Sequence, residues 1–197
     1  MPHRPAAIVS AMHEELRALL PLLTDRLHAF DAGCLVFTGV AGGLADGVNV
    51  GDMVVATQLL HHDMDASPLF PRFEVPLTGR SRFEADAELS DALAAAALRG
   101  VGARLHRGLI VSGDRFVASA AESDTLRALL PDALAVEMEG AAVAQACADF
   151  GRPFAVVRTI SDRADDAAHI DFARFIEDIA STTTCAIIEA WLRDRAR

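Results

Sequence analysis

The chain alternates short runs of β-branched and apolar residues with longer segments of helical periodicity, and this alternation restricts the fold more than any other feature. Six runs predict strands: Ala6 to Ser10, Cys34 to Thr38, Met53 to Thr57, Gly108 to Ser112, Leu134 to Met138 and Phe154 to Ile160. Apolar spacing of one helical turn predicts helices: Leu16 to Leu23, Ala87 to Leu98, Glu122 to Leu130, Gly140 to Phe150 and Asp171 to Trp191. Alternating strands and helices are typical of a layered α/β domain, and 197 residues with 52% apolar content suffice for one core. We therefore expect a single domain that spans residues 1–197.

The charged residues exclude several classes of function. The chain has 18 basic and 28 acidic side chains, a net charge of -10, and the basic ones, all arginines, are scattered. Because there is no basic stripe, we expect no nucleic-acid partner. Because there is no lysine, neither a Schiff-base enzyme nor a P-loop nucleotide site is expected.

The cysteines and the apolar segments predict the compartment. Cys34, Cys147 and Cys185 are widely spaced within apolar stretches, which is typical of reduced thiols in a cytosolic protein. The N-terminal apolar stretch is short and runs straight into acidic residues, unlike a signal peptide. No segment approaches the roughly 20 apolar residues of a membrane span. We expect a soluble, cytoplasmic protein with no membrane partner.

Acidic residues follow three of the predicted strands, at the edge where open α/β sheets bind ligands. Glu15 comes shortly after the first strand, Glu137 and Glu139 stand at the end of the fifth, and Asp162 follows the sixth. Alternate residues of a strand share a face, so Glu137 and Glu139 lie on one face and Met138 on the other. The fifth and sixth strands are expected to pair in parallel through a right-handed crossover. The acids would then converge on one cleft; alternatively, Glu139 caps the next helix and Asp162 opens a surface turn.

Two loops at strand ends could contribute to the same cleft. Glycines within Gly39 to Gly43 would let the backbone approach a ligand and offer N–H groups, although glycine turns are common at strand ends. Ser112 to Asp114 leads to Phe116, an aromatic ring that could stack on a nucleobase or simply pack at the rim of the core. The glycine run CLVFTGVAGGL does not match G-x-G-x-x-G, which disfavours a dinucleotide site.

A dense group of imidazoles and carboxylates, His61, His62, Asp63 and Asp65, raises the alternative of a metal site. Neighbouring residues of an extended segment point to opposite faces, so His61 and His62 cannot easily share one ion. A polar loop is the favoured interpretation. The chain also has no G-x-S-x-G elbow for a serine nucleophile.

Taken in order, the motifs AMHEE, TGVAGGL, VGDMVVA, HDMDASPLFP, RGLIVSGDRFV, VEMEGAAVA and VVRTISDRAD cover nearly the whole chain. They resemble the methylthioadenosine/S-adenosylhomocysteine nucleosidase family of the nucleoside phosphorylase superfamily. The resemblance implies a three-layer α/β/α sandwich around a central mixed sheet, no cofactor, and hydrolysis of a purine N-glycosidic bond. It also implies a homodimer whose arm, Asp65 to Pro76, lies near the neighbouring site.

Residue by residue, the resemblance implies that Asp162 protonates the purine at N7, Glu139 holds the ribose hydroxyls and Glu15 activates the attacking water. Such roles meet the chemical need for an acid on the leaving group, a carboxylate near the cation and a base for water. The substrate-binding residues that it implies are Met12, Ala41, Gly42, Phe116, Val117, Glu137, Met138, Arg158, Ser161 and Phe172.

The sequence departs from the family between Phe30 and Cys34, where the family carries two further strands, a helix and a Gly-Ile-Gly-Lys turn that reaches the substrate. Either a natural segment is missing from this sequence, which we favour, or the protein is a true deletion variant. A true deletion would open the core and expose strand edges. It would predict weak or no activity.

Four other functions compete with the hydrolysis of a 5'-thio-substituted adenosine. A futalosine hydrolase or a nucleoside phosphorylase would use the same fold, but Val40 supplies no hydroxyl for phosphate and Arg158 alone makes a poor phosphate site. A non-catalytic nucleoside-binding protein would keep the pocket without turnover. A metallohydrolase would be centred on His61 to Asp65.

Overall fold

The computed structural model describes residues 6–10, 32–175 and 181–195. Its strands are β1 (Ala6–Val9), β2 (Cys34–Gly43), β3 (Met53–His61), β4 (Phe83–Glu84), β5 (Leu105–Ser112), β6 (Ala133–Glu137) and β7 (Phe154–Asp162). Its helices are α1 (Ala87–Val101), α2 (Ala120–Leu129), α3 (Gly140–Asp149), α4 (Ala168–Phe175) and α5 (Ser181–Arg195). The expected mixed α/β fold is confirmed.

Five of the strands form a closed ring. β2 pairs with β7, β7 with β3, β3 with β5, β5 with β6, and β6 returns to β2. The β6–β2 and β7–β3 pairings are antiparallel and the other three are parallel, so the sheet is mixed. β1 and β4 lie outside this ring, each paired with one strand among the described residues. The expected parallel pairing of β6 with β7 is wrong, because β2 lies between them and pairs with both.

Helices cover both faces of the sheet. Successive residues of β2 point to opposite sides, so Val36 packs with α1 and α5 while Phe37 packs with α3. A separate group of buried apolar residues, which includes Leu126, joins α2 to β5 and β6. Small residues let α3 lie close to the sheet: Ala141 and Ala144 are fully buried, and a Cβ at Gly140 would lie 2.6 Å from Cδ2 of Leu59.

Local signals explain where two of the helices begin. Asp86 caps α1 by accepting a hydrogen bond from the N–H of Leu89 at 2.8 Å. The hydroxyl of Ser119 accepts from the N–H of Glu122 at the start of α2. Helix α1 ends at Gly102, whose φ of 67° is the left-handed conformation that glycine adopts most easily.

Several predicted boundaries differ from the structure. β2 does not end at Thr38 but continues through the glycines to Gly43, because pairing with β7 extends along this stretch. The predicted helix from Leu16 to Leu23 lies outside the described residues. The predicted helix from Asp171 to Trp191 corresponds to α4 and α5, and residues 176–180 between them are not described. None of the described helices is long and apolar enough to cross a membrane.

Candidate active site

A cavity of about 120 Å³ lies where β2, β6 and β7 end. Gly42 of β2 is the register partner of Val136 in β6 on one side and of Asp162 in β7 on the other. The ends of β6 and β7 are therefore brought together by their shared neighbour rather than by pairing with each other. The lining residues are Val40, Ala41, Gly42, Arg115, Phe116, Val117, Val136, Glu137, Met138, Glu139, Arg158, Ser161, Asp162 and Phe172.

Every predicted site residue that the structure describes lines this cavity. Met12 and Glu15, the two others, lie outside the described residues. Sequence reasoning did not select Val40, Arg115 or Val136 as site residues. Arg115 stands between Asp114 and Phe116 of the SGD-x-F motif, and this position within a motif is the feature of the sequence that could have identified it as a cavity residue.

Asp162 is almost fully buried at the inner wall of the cavity, with 1% of its surface exposed. Its Oδ2 accepts a hydrogen bond from the hydroxyl of Ser161 at 2.8 Å, and its Oδ1 accepts from the N–H of Ala164 at 2.8 Å. A Cβ at Gly42 would lie 2.8 Å from Oδ1, so the backbone of β2 directly adjoins this carboxylate. The alternative of a surface turn at Asp162 is wrong, because the side chain is buried.

Glu137 and Arg158 form a buried ion pair beneath the cavity. The side chains are 3% and 1% exposed, and the guanidinium of Arg158 also lies 4.0 Å from the centre of the Phe37 ring. Glu137 further accepts hydrogen bonds from the hydroxyl of Ser112 and from the N–H of Gly140. Charges this deeply buried are stable only when paired and hydrogen-bonded. Glu137 therefore compensates the buried positive charge of Arg158.

Glu139 points towards the cavity with 45% of its side chain exposed, and one carboxylate oxygen lies 4.0 Å from the guanidinium of Arg158. It precedes α3 but makes no side-chain capping hydrogen bond, so the alternative of a helix cap is wrong. Glu137 accepts from the first N–H of that helix instead. Glu139 thus lines the cavity at the positive end of a helix, where a carboxylate is favoured.

Aromatic rings form the outer rim of the cavity. Phe116 and Phe172 meet edge to face with ring centroids 5.5 Å apart. Phe116 is 41% exposed although it is apolar, whereas Val117 beside it is buried. Exposed rings beside a cavity can hold a flat aromatic ligand. The site therefore combines carboxylates, which accept hydrogen bonds from hydroxyl groups or release a proton, with an apolar aromatic entrance.

The two histidines of the possible metal site contact different parts of the protein. The Nε2 atom of His61 lies 3.2 Å from the side-chain oxygen of Gln145, whereas the ring of His62 packs on Gly113. Burial lowers the pKa of His62, and the nearby carboxylates only partly oppose this effect. Within the described parts of the chain, no three histidine, cysteine or acidic side chains are grouped as metal ligands would be.

Comparison with known proteins gives consistent matches to one family. Residues 8–193 match the family model described as the phosphorylase superfamily. A 5'-methylthioadenosine/S-adenosylhomocysteine nucleosidase from Actinobacillus succinogenes is 37% identical over 172 residues, which are 87% of this chain and 74% of that protein. The relative is therefore the longer of the two.

Solved structures show the same fold. A 5'-methylthioadenosine/S-adenosylhomocysteine nucleosidase from Neisseria meningitidis, in complex with methylthio-immucillin-A, aligns with a TM-score of 0.89 and 30% identity over 97% of this chain and 99% of that one. A futalosine hydrolase mutant from Helicobacter pylori aligns with a TM-score of 0.84 and 28% identity over 97% and 99% of the two chains.

Proposed function

Since the chain belongs to the phosphorylase superfamily and, within it, to the 5'-methylthioadenosine/S-adenosylhomocysteine nucleosidase family, we propose that it hydrolyses the N-glycosidic bond of 5'-thio-substituted adenosines. The substrates would be methylthioadenosine and S-adenosylhomocysteine, with 5'-deoxyadenosine as a further candidate. The products are adenine and the 5-thio-substituted ribose.

Asp162 is the general acid of this proposal. Its carboxyl group donates a proton to N7 of the purine while the bond between C1' and N9 breaks, and the bonding electrons leave with the base. Adenine departs as a neutral molecule, which is a better leaving group than its anion. The hydrogen bonds from Ser161 and Ala164 hold Asp162 in one orientation, and burial shields it from water.

The ribosyl cation that forms is stabilised by Glu139, which accepts hydrogen bonds from the ribose hydroxyls. The guanidinium of Arg158, which is paired with Glu137, also lies 4.0 Å from a carboxylate oxygen of Glu139 and helps to position it. Water then adds to C1' after Glu15 removes its proton. Phe116 and Phe172 enclose the base, and the backbone of Val117 hydrogen-bonds to it.

One observation carries the proposal most directly: Asp162 and Glu139 line the same cavity, with an aromatic rim beside them. The test is adenine release from methylthioadenosine in phosphate-free buffer, followed by chromatography. We expect release by the parent protein and a loss of at least about 100-fold in Asp162→Asn, because the acid is gone.

Asp165→Asn is the matched control. Asp165 lies in the same segment and accepts from the N–H of Ala167 at 2.9 Å, but it is only half-buried and lies outside the cavity. The control should retain the parent rate. Equal rates in Asp162→Asn and the parent would contradict the role of Asp162, and adenine release only after phosphate is added would assign the chain to phosphorolysis instead.

We further propose that the protein is a homodimer and that it acts in the cytoplasm. The arm Asp65 to Pro76 exposes Leu69 with 82% of its surface accessible, an apolar side chain that a second copy would cover. Cys34 and Cys147 are buried thiols, consistent with a reducing compartment. Sedimentation of the parent should give a dimer, and Leu69→Asp should shift it towards monomer; a monomeric parent would contradict this assembly.

The segment absent between Phe30 and Cys34 affects the expected rate. The resemblance places a substrate-contacting turn there, and β1 is left paired with β2 alone among the described strands. We expect this 197-residue chain to turn over slowly relative to its longer relatives. Full turnover would show that the segment is dispensable.

A further inference from the structure

Two strands of the ring end side by side near the cavity, and the residues that follow them contact each other. β3 and β5 pair in parallel as far as His61 and Ser112. His62 and Asp63 continue from β3. The segment 113–117 continues from β5 and carries Phe116 and Val117 to the cavity.

Three contacts join these two continuations. The N–H of His62 donates to the carbonyl of Ser112 at 2.8 Å. The N–H of Asp114 donates to Oδ2 of Asp63 at 2.8 Å. The imidazole of His62 covers Gly113 so closely that a Cβ there would lie 2.4 Å from Nε2 and 2.9 Å from Oδ2 of Asp63. Only glycine at position 113 therefore fits against His62 and Asp63 without a shift of these side chains.

The imidazole of His62 contributes packing rather than a hydrogen bond from its Nε2 atom. Its Nε2 atom is buried and has no hydrogen-bond partner among the described residues. A buried polar atom without a partner costs free energy, so hydrogen bonding by this nitrogen does not explain its place in the structure. What the ring does make is the contact with Gly113.

We propose that His62 and Asp63 form a clasp that positions segment 113–117, and with it the part of the cavity that receives the purine base. They are positioning residues, since they lie behind the segment and Phe116 and Val117 carry the contact with the ligand. The identity of the ligand rests on the proposed nucleosidase function. The clasp itself rests on the three contacts.

A double-mutant cycle tests the ring contact. Gly113→Ala forces a methyl group against the imidazole, and we expect KM for methylthioadenosine to rise about tenfold or more with a smaller change in kcat, because the segment is displaced. In a His62→Ala background the contact with the imidazole is gone and only the 2.9 Å contact with Oδ2 of Asp63 is left, so Gly113→Ala should raise KM by clearly less than it does in the parent background. Equal effects in the two backgrounds would overturn the clasp. If His62→Ala does not fold, His62→Val serves as the smaller side chain.

Amide hydrogen exchange tests the second contact without relying on activity. Asp63→Ala should accelerate exchange at the N–H of Asp114, whereas Asp132→Ala, which removes a surface carboxylate bound to Arg82, should not. Unchanged exchange in Asp63→Ala would overturn this part of the clasp. If the parent releases no adenine, the proposed function fails, and exchange across the same double-mutant cycle decides the clasp independently.

Discussion

One methyl group added at Gly42 tests whether the position of Asp162 controls the reaction. A Cβ at Gly42 would lie 2.8 Å from Oδ1 of Asp162 and 3.0 Å from Cβ of Ala164. Unstrained contacts between such atoms are near 3.5 Å, so the carboxylate or the strand must move by about half an ångström or more. Since Asp162 is held by Ser161 and Ala164, a shift also weakens those hydrogen bonds.

Displacements of about 1 Å at a catalytic group can reduce rates about 100-fold. For Gly42→Ala we expect kcat/KM for adenine release to fall about 10- to 100-fold, which corresponds to about 1.4–2.7 kcal/mol of lost transition-state stabilisation. Gly43→Ala is the matched control. Its Cβ would lie 3.0 Å from the carbonyl oxygen of Val48 and away from Asp162, so it should lower the melting temperature while kcat stays near the parent value.

The double variant identifies the cause. If Gly42→Ala acts by displacing the acid, it should change the residual rate of Asp162→Asn by less than about threefold, because the group that it disturbs is already disabled. Steady-state kinetics of the parent, both single variants and the double variant complete the cycle. A parent-like rate in Gly42→Ala, or effects that multiply in the double variant, would refute the reasoning.

Arg158→Met should lower the free energy of unfolding by about 3–5 kcal/mol in urea titration, because Glu137 is left buried without its cation, and Glu137→Leu in the same chain should recover part of the loss. A cost below about 1 kcal/mol would contradict this account. Phe172→Ala removes the ring that meets Phe116, so KM should rise about 2- to 10-fold in steady-state kinetics, and an unchanged KM would show that the base does not use this ring. Burial lowers the pKa of His62 in the folded protein. Below about pH 6.5 the imidazole is therefore protonated more readily in the unfolded chain than in the folded one. The free energy of unfolding should then decrease as the pH falls. Melting temperatures between pH 7.5 and 5.5 should decline less in His62→Leu; equal declines would contradict the assignment. Among the described residues, the charged or titratable groups that act on His62 or line the same surface cavity are His61, Asp63, Arg72, Arg115, Glu122 and Glu137.

The sequence indicated which residues line the cavity better than it indicated the path of the chain through the sheet. Apolar runs ending at Glu137 and at Asp162 mark strand ends, and the position of an acid at a strand end is a local property that a sequence displays. That these ends meet depends on pairing of both strands with Gly42, a contact between residues far apart in the chain. The expected β6–β7 pairing was wrong for this reason.

Residues that act from behind the cavity were the hardest to predict. Nothing local distinguishes His62, which packs on Gly113, from His61, whose ring lies near Gln145. Glu139 was a candidate helix cap because it precedes α3, yet the neighbouring Glu137 takes the first N–H of that helix. The sequence alone does not show which of Glu137 and Glu139 accepts the hydrogen bond from the helix and which lines the cavity.

The strands within the closed ring and the strands outside it should respond differently to insertions and deletions. Each ring strand that carries the site has a neighbour on both sides, so lengthening or shortening the chain elsewhere need not move Gly42, Glu137 or Asp162 relative to one another. β1 lies outside the ring, and Glu15 follows it in the chain. A change in length between Phe30 and Cys34 should therefore spare base recognition and protonation while it impairs the delivery of water. Under the proposed function, such a change would lower turnover more than it would lower recognition of the purine base.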